Sequence, residues 1–296
     1  MCNTCGCNIT PANEHLVQSE GRLAYTEDGK AAVTVLQSLL HENDHQAGHN
    51  RQHLDYFGAL AVNLMSAPGS GKTALLEATI QALGDEFRIA VIEGDLETEN
   101  DAARVRALGA PAVQITTGSA CHLDAHMVHN GLHQLDLASI DLLFIENVGN
   151  LVCPASFDLG HHLNVILLSV TEGDDKPAKY PVMFRSADLL LLTKTDLLAV
   201  LDDFDPATAE AYFRQLANPA PVVMVSARRG NGLDAWLAWL RDNLQAYRQR
   251  LPRDETRSLT LAEEGVRCHR SSAPAASHAD HHHHHYDHHH PGHQEI

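Results

Sequence analysis

The stretch 66–73, SAPGSGKT, constrains this chain most, because it follows an apolar run at 60–65 and opens onto an alanine- and leucine-rich helical pattern. A glycine-rich turn between a strand and a helix presents backbone N–H groups and the helix dipole to phosphate oxygens. The spacing predicts that Lys72 reaches the β- and γ-phosphates and that the Thr73 hydroxyl ligates Mg²⁺. Ser66 stands where the usual motif has glycine. The residues predicted to bind the phosphates are Gly69, Ser70, Gly71, Lys72 and Thr73.

The rest of the chain supplies the strands and helices that such a loop requires. Continuous apolar runs at 87–92, 142–145, 165–170, 189–192 and 222–225 predict buried strands, and helical patterns separate most of them. This alternation predicts an α/β fold of the P-loop NTPase class: a doubly wound, mostly parallel sheet with helices on both faces. Ligands then bind at the carboxyl ends of the strands. With 296 residues, 44% of them hydrophobic, the chain can bury such a core.

Acidic residues follow two of these strands. Asp95 comes three residues after the run at 87–92, where carboxylates hold Mg²⁺ and its water molecules. Glu146 follows the run at 142–145, and Gly149 comes three residues later, as in switch segments whose backbone N–H meets the γ-phosphate. Glu146 replaces the usual aspartate and no glutamine follows Gly149, so we expect slow intrinsic hydrolysis. The predicted catalytic residues are Lys72, Asp95 and Glu146.

A lysine and an aspartate follow the run at 189–192, and their spacing predicts which nucleotide base the protein binds. Asp196, two residues after Lys194, can accept hydrogen bonds from N1–H and the exocyclic amine of guanine, which adenine does not present together. Lys194 is expected to pack its stem along the base, and Ser226 and Ala227 follow the last strand beside it. The spacing therefore selects GTP over ATP, although Thr193 stands where asparagine is usual.

Three cysteines, Cys2, Cys5 and Cys7, lie within the first seven residues beside the α-amino group. Three sulfurs and one nitrogen form a four-ligand set that suits Ni²⁺ or Zn²⁺ better than Mg²⁺ or Ca²⁺. The alternative is a disordered tail with oxidisable thiols. Residues 1–30 are predicted to form this metal-binding arm and a flexible linker.

Cys121, His122 and Cys153 form a second candidate metal site. The first two are predicted at the start of a helix, and Cys153 lies four residues after Gly149, so a nucleotide-dependent loop would move it. Two thiolates and an imidazole leave one position for water, a further residue or a second subunit. The alternative is a pair of buried, inert thiols.

Two sets of histidines at helical spacing either hold metal or form a solvated helix face. One set continues a helix that begins near residue 31, and the other follows His122. They are His41, His45, His49 and His53, and His126, His129 and His133.

Composition excludes some functions and divides the chain. A formal charge of -17, without a lysine- and arginine-rich stripe, argues against nucleic-acid binding. The absence of an 18-residue apolar run and of a signal-peptide layout predicts a cytoplasmic protein without a membrane segment. Residues 31–250 are predicted to form the GTPase domain, and 251–296 a disordered tail. Ten of the 22 histidines fall between 278 and 293 in that tail, as a metal-buffering tract or an expression tag.

Together, MCNTCGC, SAPGSGKT, EGDLETEND, CHLDAHM, FIENVGNLVCPASFDLG, SVTEGDDKPAKYP and TKTD resemble the HypB family of hydrogenase nickel incorporation GTPases. The resemblance extends to about residue 245. It implies a GTP-dependent metallochaperone that dimerises with nucleotide and, with a HypA-like nickel chaperone, delivers nickel to the hydrogenase large subunit. It also implies a nickel-binding arm at Cys2, Cys5 and Cys7 and a metal site, for Ni²⁺ or Zn²⁺, at Cys121, His122 and Cys153.

Two other functions compete with this one. The first is a nickel storage protein that retains an idle nucleotide fold. The second is an ATP-using kinase with the same loop, which Asp196 argues against.

Overall fold

A computed structural model of the protein describes residues 30–95, 100–118 and 120–253. The predicted arm with Cys2, Cys5 and Cys7, its linker and the histidine-rich tail beyond residue 253 lie outside the described residues. Within the described ranges, no helix combines the length and apolar character needed to cross a membrane.

The described residues form one seven-stranded sheet in the order β3-β2-β4-β1-β5-β6-β7, and every neighbouring pair is parallel. The strand order reverses beside β1, and the phosphate loop (residues 66–73) begins at the carboxyl end of that central strand. Ligands bind at such a switch point in open α/β sheets. The predicted fold class is confirmed, and the sheet is wholly parallel. The strands are β1 Leu60–Ser66, β2 Ile89–Asp95, β3 Ala112–Thr116, β4 Leu142–Glu146, β5 Leu163–Ser169, β6 Leu189–Thr193 and β7 Val222–Val225.

Helices cover both faces of this sheet, as the buried runs require. One face of the sheet packs against α2 and α8, whose Trp236 is fully buried and donates its indole N–H to Thr79 Oγ1 at 2.8 Å. The other face packs against α1 and α4 at one end and α6 and α7 at the other. The helices are α1 Lys30–Phe57, α2 Lys72–Leu83, α3 Asn100–Ala107, α4 Ala125–Leu132, α5 Lys176–Lys179, α6 Pro181–Arg185, α7 Pro206–Arg214 and α8 Leu233–Arg250.

Helix α1 is held to the domain by polar contacts as well as by apolar ones. Its buried face includes Asn43 and Asn50 beside apolar residues such as Leu54. Asn50 Nδ2 donates to the backbone oxygens of Ala125 and Leu159, at 2.7 and 3.0 Å. Of the predicted histidine stripe on this helix, the first three members are exposed and His53 is half-buried.

One strand was not predicted from the sequence, and one predicted helix start is wrong. Strand β3 was not predicted, because it is an edge strand without a continuous apolar run. Val113 is its one buried residue. Helix α4 begins at Ala125, with the Asp124 side chain accepting from Met127 N at 2.8 Å. Cys121 and His122 therefore lie in the turn before the helix, because the aspartate cap fixes the helix start three residues later.

Candidate nucleotide and metal sites

The phosphate loop turns at two glycines in the left-handed region, with φ of 74° at Gly69 and 96° at Gly71. A side chain at either position would be strained. Lys72 opens α2 in a buried position, and its Nζ donates to Ser66 Oγ at 2.9 Å. Burial lowers the pKa of Lys72, and the nearby carboxylate of Glu146 opposes this shift. Ser66, the departure from the usual motif, thus gives the ammonium group a hydrogen-bond partner inside the loop.

The carboxyl end of β6 holds the phosphate loop from the other side. Thr193 Oγ1 donates to Ser70 O at 2.7 Å, and Lys194 Nζ donates to Gly69 O. Lys194 itself has a left-handed backbone, with φ of 58°. The structure therefore joins the segment predicted to bind the base to the segment predicted to bind the phosphates.

Asp196 lies just beyond this junction and is oriented by the end of β7. Ser226 Oγ donates to Asp196 Oδ1 at 2.6 Å and accepts from Arg229 N at 3.2 Å. The hydrogen bond from Ser226 lowers the pKa of Asp196. The carboxylate is thus a partly exposed, ionised hydrogen-bond acceptor whose orientation is set by Ser226.

Two glutamates meet beside the phosphate loop, and the sequence indicated only one of them. Thr73 Oγ1 donates to Glu146 Oε1 at 3.0 Å, and Glu93 is the cross-strand neighbour of Glu146 in the sheet. Burial raises the pKa of Glu146 to about 7, and burial with the charge of Glu146 raises that of Glu93 to about 8. In each of the two carboxylates one buried oxygen has no hydrogen-bond partner among the described residues. Hard oxygen ligands of this kind, with the Thr73 hydroxyl, fit Mg²⁺.

Asp95, the predicted magnesium ligand, ends β2 two residues beyond Glu93. It is half-buried, and its backbone oxygen accepts from Thr117 N at 2.9 Å. Its carboxylate adds to the negative charge around Glu93 and so contributes to the raised pKa of that residue.

The segment after β4 packs directly on the phosphate loop at Gly149. A Cβ at this position would lie 2.8 Å from Pro68 Cα, closer than side chains approach a backbone. The amide group of residue 149 therefore lies next to the loop predicted to hold the γ-phosphate. Glycine is required here by the close approach of two backbones.

Cys121, His122 and Cys153, although distant in sequence, come together as the predicted metal-ligand cluster. The two Sγ atoms lie 3.0 Å apart, and Cys121 Sγ lies 4.0 Å from His122 Nδ1. One ligand atom from each residue lies within 4.8 Å of those of the other two. Thiolates bound to one Ni²⁺ or Zn²⁺ at about 2.3 Å would be roughly 3.3 to 3.8 Å apart. The cluster therefore needs only a small separation of the sulfurs to admit an ion.

The surroundings of this cluster favour neutral ligands until a cation arrives. His122 is buried and stacks on Phe157 with ring centroids 4.0 Å apart, and burial lowers its pKa to about 4. Burial and the adjacent Cys153 sulfur raise the pKa of Cys121. His122 Nε2 has no hydrogen-bond partner among the described residues. A bound ion would replace the thiol protons, so its affinity rises with pH.

Hydrogen bonds connect the metal-ligand cluster to the segment after β4. Asn150 Oδ1 accepts from Val152 N at 2.7 Å and from Cys153 N at 3.3 Å. Asn147 Oδ1 accepts from Leu123 N, beside His122, at 3.2 Å. Both halves of the cluster are thus attached to the few residues around Gly149.

The other predicted histidines lie apart from this cluster. His126 faces Glu42 of α1, with Nε2 and Oε1 3.9 Å apart. His129 and His133 contact each other through their Nε2 atoms at 3.0 Å. The helical spacing placed these three correctly relative to one another but wrongly relative to His122, which precedes the helix.

A wholly parallel sheet, a phosphate loop after its central strand, and a lysine and aspartate turn beside that loop define a P-loop GTPase. Residues 60–224 match the family model described as "CobW/HypB/UreG, nucleotide-binding domain". Over 208 residues the chain is 55% identical to "Hydrogenase maturation factor HypB" of Azotobacter vinelandii, an alignment that covers 70% of this chain and 68% of that protein. The chain belongs to the HypB family of hydrogenase maturation factors.

Other relatives and solved structures agree. The HypB of Escherichia coli K12 is 51% identical over 202 residues, which cover 68% of this chain and 69% of that protein. The crystal structure of HypB from Helicobacter pylori in complex with nickel matches with a TM-score of 0.67 and 38% identity, over 73% of this chain and 98% of that one. HypB from Archaeoglobus fulgidus matches with a TM-score of 0.65 and 42% identity, over 69% and 100%.

Proposed function

We propose that this protein is a GTP-hydrolysing metallochaperone that delivers nickel for maturation of the large subunit of a nickel-iron hydrogenase. The observation that carries the proposal is the attachment of both halves of the metal-ligand cluster to the segment at Gly149, which packs on the phosphate loop. Nucleotide state can therefore act on a metal site directly. We infer hydrogenase as the target because this protein's relatives are hydrogenase maturation factors. We infer nickel as the metal because the HypB structure from Helicobacter pylori is a complex with nickel.

In the proposed nucleotide site, Lys72 exchanges its hydrogen bond to Ser66 for the β- and γ-phosphates of GTP. Thr73 and Glu146 would hold Mg²⁺, with Glu93 or Asp95 beside them, and the ion would neutralise phosphate charge. The amide of Gly149 would donate to the γ-phosphate. The other nucleotide-binding residues are Gly69, Ser70, Gly71, Lys194, Asp196, Ser226 and Ala227. Without a glutamine to orient water, hydrolysis is slow, which suits a switch.

In the proposed metal site, Cys121, His122 and Cys153 hold Ni²⁺ as cargo, and the same soft donor set accepts Zn²⁺. The amino-terminal arm at Cys2, Cys5 and Cys7 is a second nickel site. The protein works in the cytoplasm, where its thiols stay reduced. It forms a nucleotide-dependent homodimer through the GTPase domain at 31–250, receives or passes nickel with a HypA-like chaperone, and docks on the hydrogenase large subunit.

The test is a nickel titration of the full chain carrying Cys2→Ser, Cys5→Ser, Cys7→Ser and Cys268→Ser, once with GDP and once with a non-hydrolysable GTP analogue. Thiolate-to-nickel charge-transfer absorption reports only cysteine ligands, so histidines elsewhere do not contribute. Coupled sites should differ in nickel affinity by roughly 5- to 150-fold between the two nucleotides. Cys153→Ser in the same background should abolish the band. Equal affinities would favour the storage protein instead.

A further inference from the structure

A second group of imidazoles lies between α1 and α4, away from the cysteines. His129 lies on α4 and His133 is the C-cap residue directly after that helix, with Nε2 atoms at 3.0 Å and ring centroids at 4.4 Å. His53, on α1, faces His133 with ring centroids 5.8 Å apart. We name these three residues the α1–α4 histidine cluster. It joins two helices that are far apart in the chain.

Hydrogen bonds to Asn50 determine which ring nitrogen of His129 is unprotonated. Asn50 donates both hydrogen bonds of its Nδ2 to the backbone oxygens of Ala125 and Leu159, so its Oδ1 must be an acceptor. His129 Nδ1 lies 3.0 Å from this oxygen and therefore carries the proton of the neutral ring. The lone pair of His129 is then on Nε2, the atom that points at His133.

A protein group that holds the far nitrogen of a histidine is the usual support of a metal-binding imidazole. Two imidazole nitrogens that each lie 2.0 to 2.1 Å from one ion are about 2.9 to 3.4 Å apart. The observed 3.0 Å falls in this range. The two rings thus need no displacement to bind an ion at adjacent coordination positions, and the ion takes the place of the hydrogen bond from His133 Nε2 to His129 Nε2.

The surroundings of the cluster also favour neutral imidazole rings, which can bind a metal cation. Burial and the neighbouring His133 lower the pKa values of His53 and His129, which keeps these rings neutral near physiological pH. His49 and His126 add to the effect on His129. An ion bound here would replace the proton that His133 Nε2 donates to His129 Nε2.

We infer that the α1–α4 histidine cluster is an additional binding site for a borderline divalent metal ion such as Ni²⁺ or Zn²⁺. His129 Nε2 on α4 and His133 Nε2 at its C-cap are the two ligands already at coordination distance from each other, and His53 on α1, whose ring faces His133, would complete the set by turning toward them. The site is distinct from Cys121, His122 and Cys153 and uses no thiolate. An ion bound here would fasten the last turns of α1 and α4 to each other.

The experiment measures amide hydrogen exchange of the full chain carrying Cys121→Ser and Cys153→Ser, with and without Ni²⁺. The expected result is slower exchange in peptides from the ends of both helices, around residues 50–57 and 129–135. At nickel 100 times its dissociation constant, openings that break the site should slow roughly 100-fold. Adding His133→Gln should remove this protection, and nickel bound at equilibrium dialysis should fall by one ion per chain.

The matched control is His126→Gln in the same background, which removes a histidine from the same helix one to two turns earlier. It should leave the protection and the number of bound ions unchanged. His133 is exposed, and its ring contacts the rings of His129 and His53. Its replacement should therefore not unfold the protein. Protection that is absent in the parent, or that persists with His133→Gln, would overturn the inference.

Discussion

Replacing Gly149 with alanine tests whether the segment after β4 must touch the phosphate loop. The new Cβ would lie 2.8 Å from Pro68 Cα and 2.9 Å from Pro68 N. Both atoms belong to the backbone, so rotation of a side chain cannot relieve the clash. We expect the segment to move away from the loop while the rest of the sheet stays folded.

The size of the effect follows from what the displacement breaks. Overpacking of this kind costs about 1 to 3 kcal/mol of unfolding free energy. If the amide of residue 149 no longer reaches the γ-phosphate, a hydrogen bond to a charged acceptor is lost, which is about 1.5 to 3 kcal/mol. At 1.36 kcal/mol for each factor of ten, kcat/KM for GTP should fall roughly 10- to 150-fold. Affinity for GDP, which lacks the γ-phosphate, should change little.

The assay combines steady-state GTP hydrolysis, binding of GDP and of a non-hydrolysable GTP analogue, and urea unfolding. Gly48→Ala is the matched control, because a Cβ at that position in α1 meets no atom within 4 Å. It should leave turnover unchanged and add about 0.5 to 1 kcal/mol of stability, as alanine does in a helix. If Gly149→Ala folds and hydrolyses GTP at the parent rate, the proposed contact with the γ-phosphate is wrong.

Three further predictions use other parts of the structure. Asp196→Asn should exchange preference for GTP for preference for XTP, measured as the ratio of kcat/KM values, because an amide presents a donor where guanine also has one. The pKa of Glu93 is raised to about 8, so without Mg²⁺ its contribution to stability is present below about pH 4.5 and is lost as pH rises through 8. At pH 8, urea unfolding should therefore find the Glu93→Gln variant more stable than the unmodified protein by about 1 to 2 kcal/mol, after allowance for solvent screening. Arg51→Met should cost about 3 kcal/mol, since it strands the carboxylate of Asp158, to which Arg51 donates at 2.8 Å, and Asp158→Asn should restore part of the loss.

The strands were predictable wherever the sequence has a continuous apolar run. The runs at 142–145 and 189–192 each extend by one polar residue in the structure, and the run at 222–225 is β7 itself. Edge strand β3 could not be found in this way, because Gln114 and the alanine at its start are only partly buried. Continuous hydrophobicity is the signal of buried parallel strands, which β3 lacks; β7, the other edge strand, keeps an apolar run although only Val225 is fully buried.

Contacts between side chains on neighbouring strands could not be predicted from the sequence. Glu93 meets Glu146 because β2 and β4 are neighbours in that register, which no local pattern specifies. The polar contacts of Asn50 reach residues 75 and 109 positions away. By contrast, Cys121 and Cys153 were predicted to share a site from their chemistry alone, and the structure brings them together. Unusual residue types reveal a candidate site without the fold, whereas common polar residues do not.

The same contacts explain how one short segment can serve both nucleotide and metal. Asn147 holds the backbone beside His122, and Asn150 holds the backbone of Cys153. Between these two asparagines lies Gly149, which has no free space against Pro68. In the proposed function, any displacement of Gly149 on loss of the γ-phosphate would therefore pull on both halves of the metal-ligand cluster. Because the sulfurs are 3.0 Å apart and must separate slightly to hold an ion, a shift of well under 1 Å is enough to change metal affinity. By linkage, an ion bound there would change nucleotide affinity by the same factor.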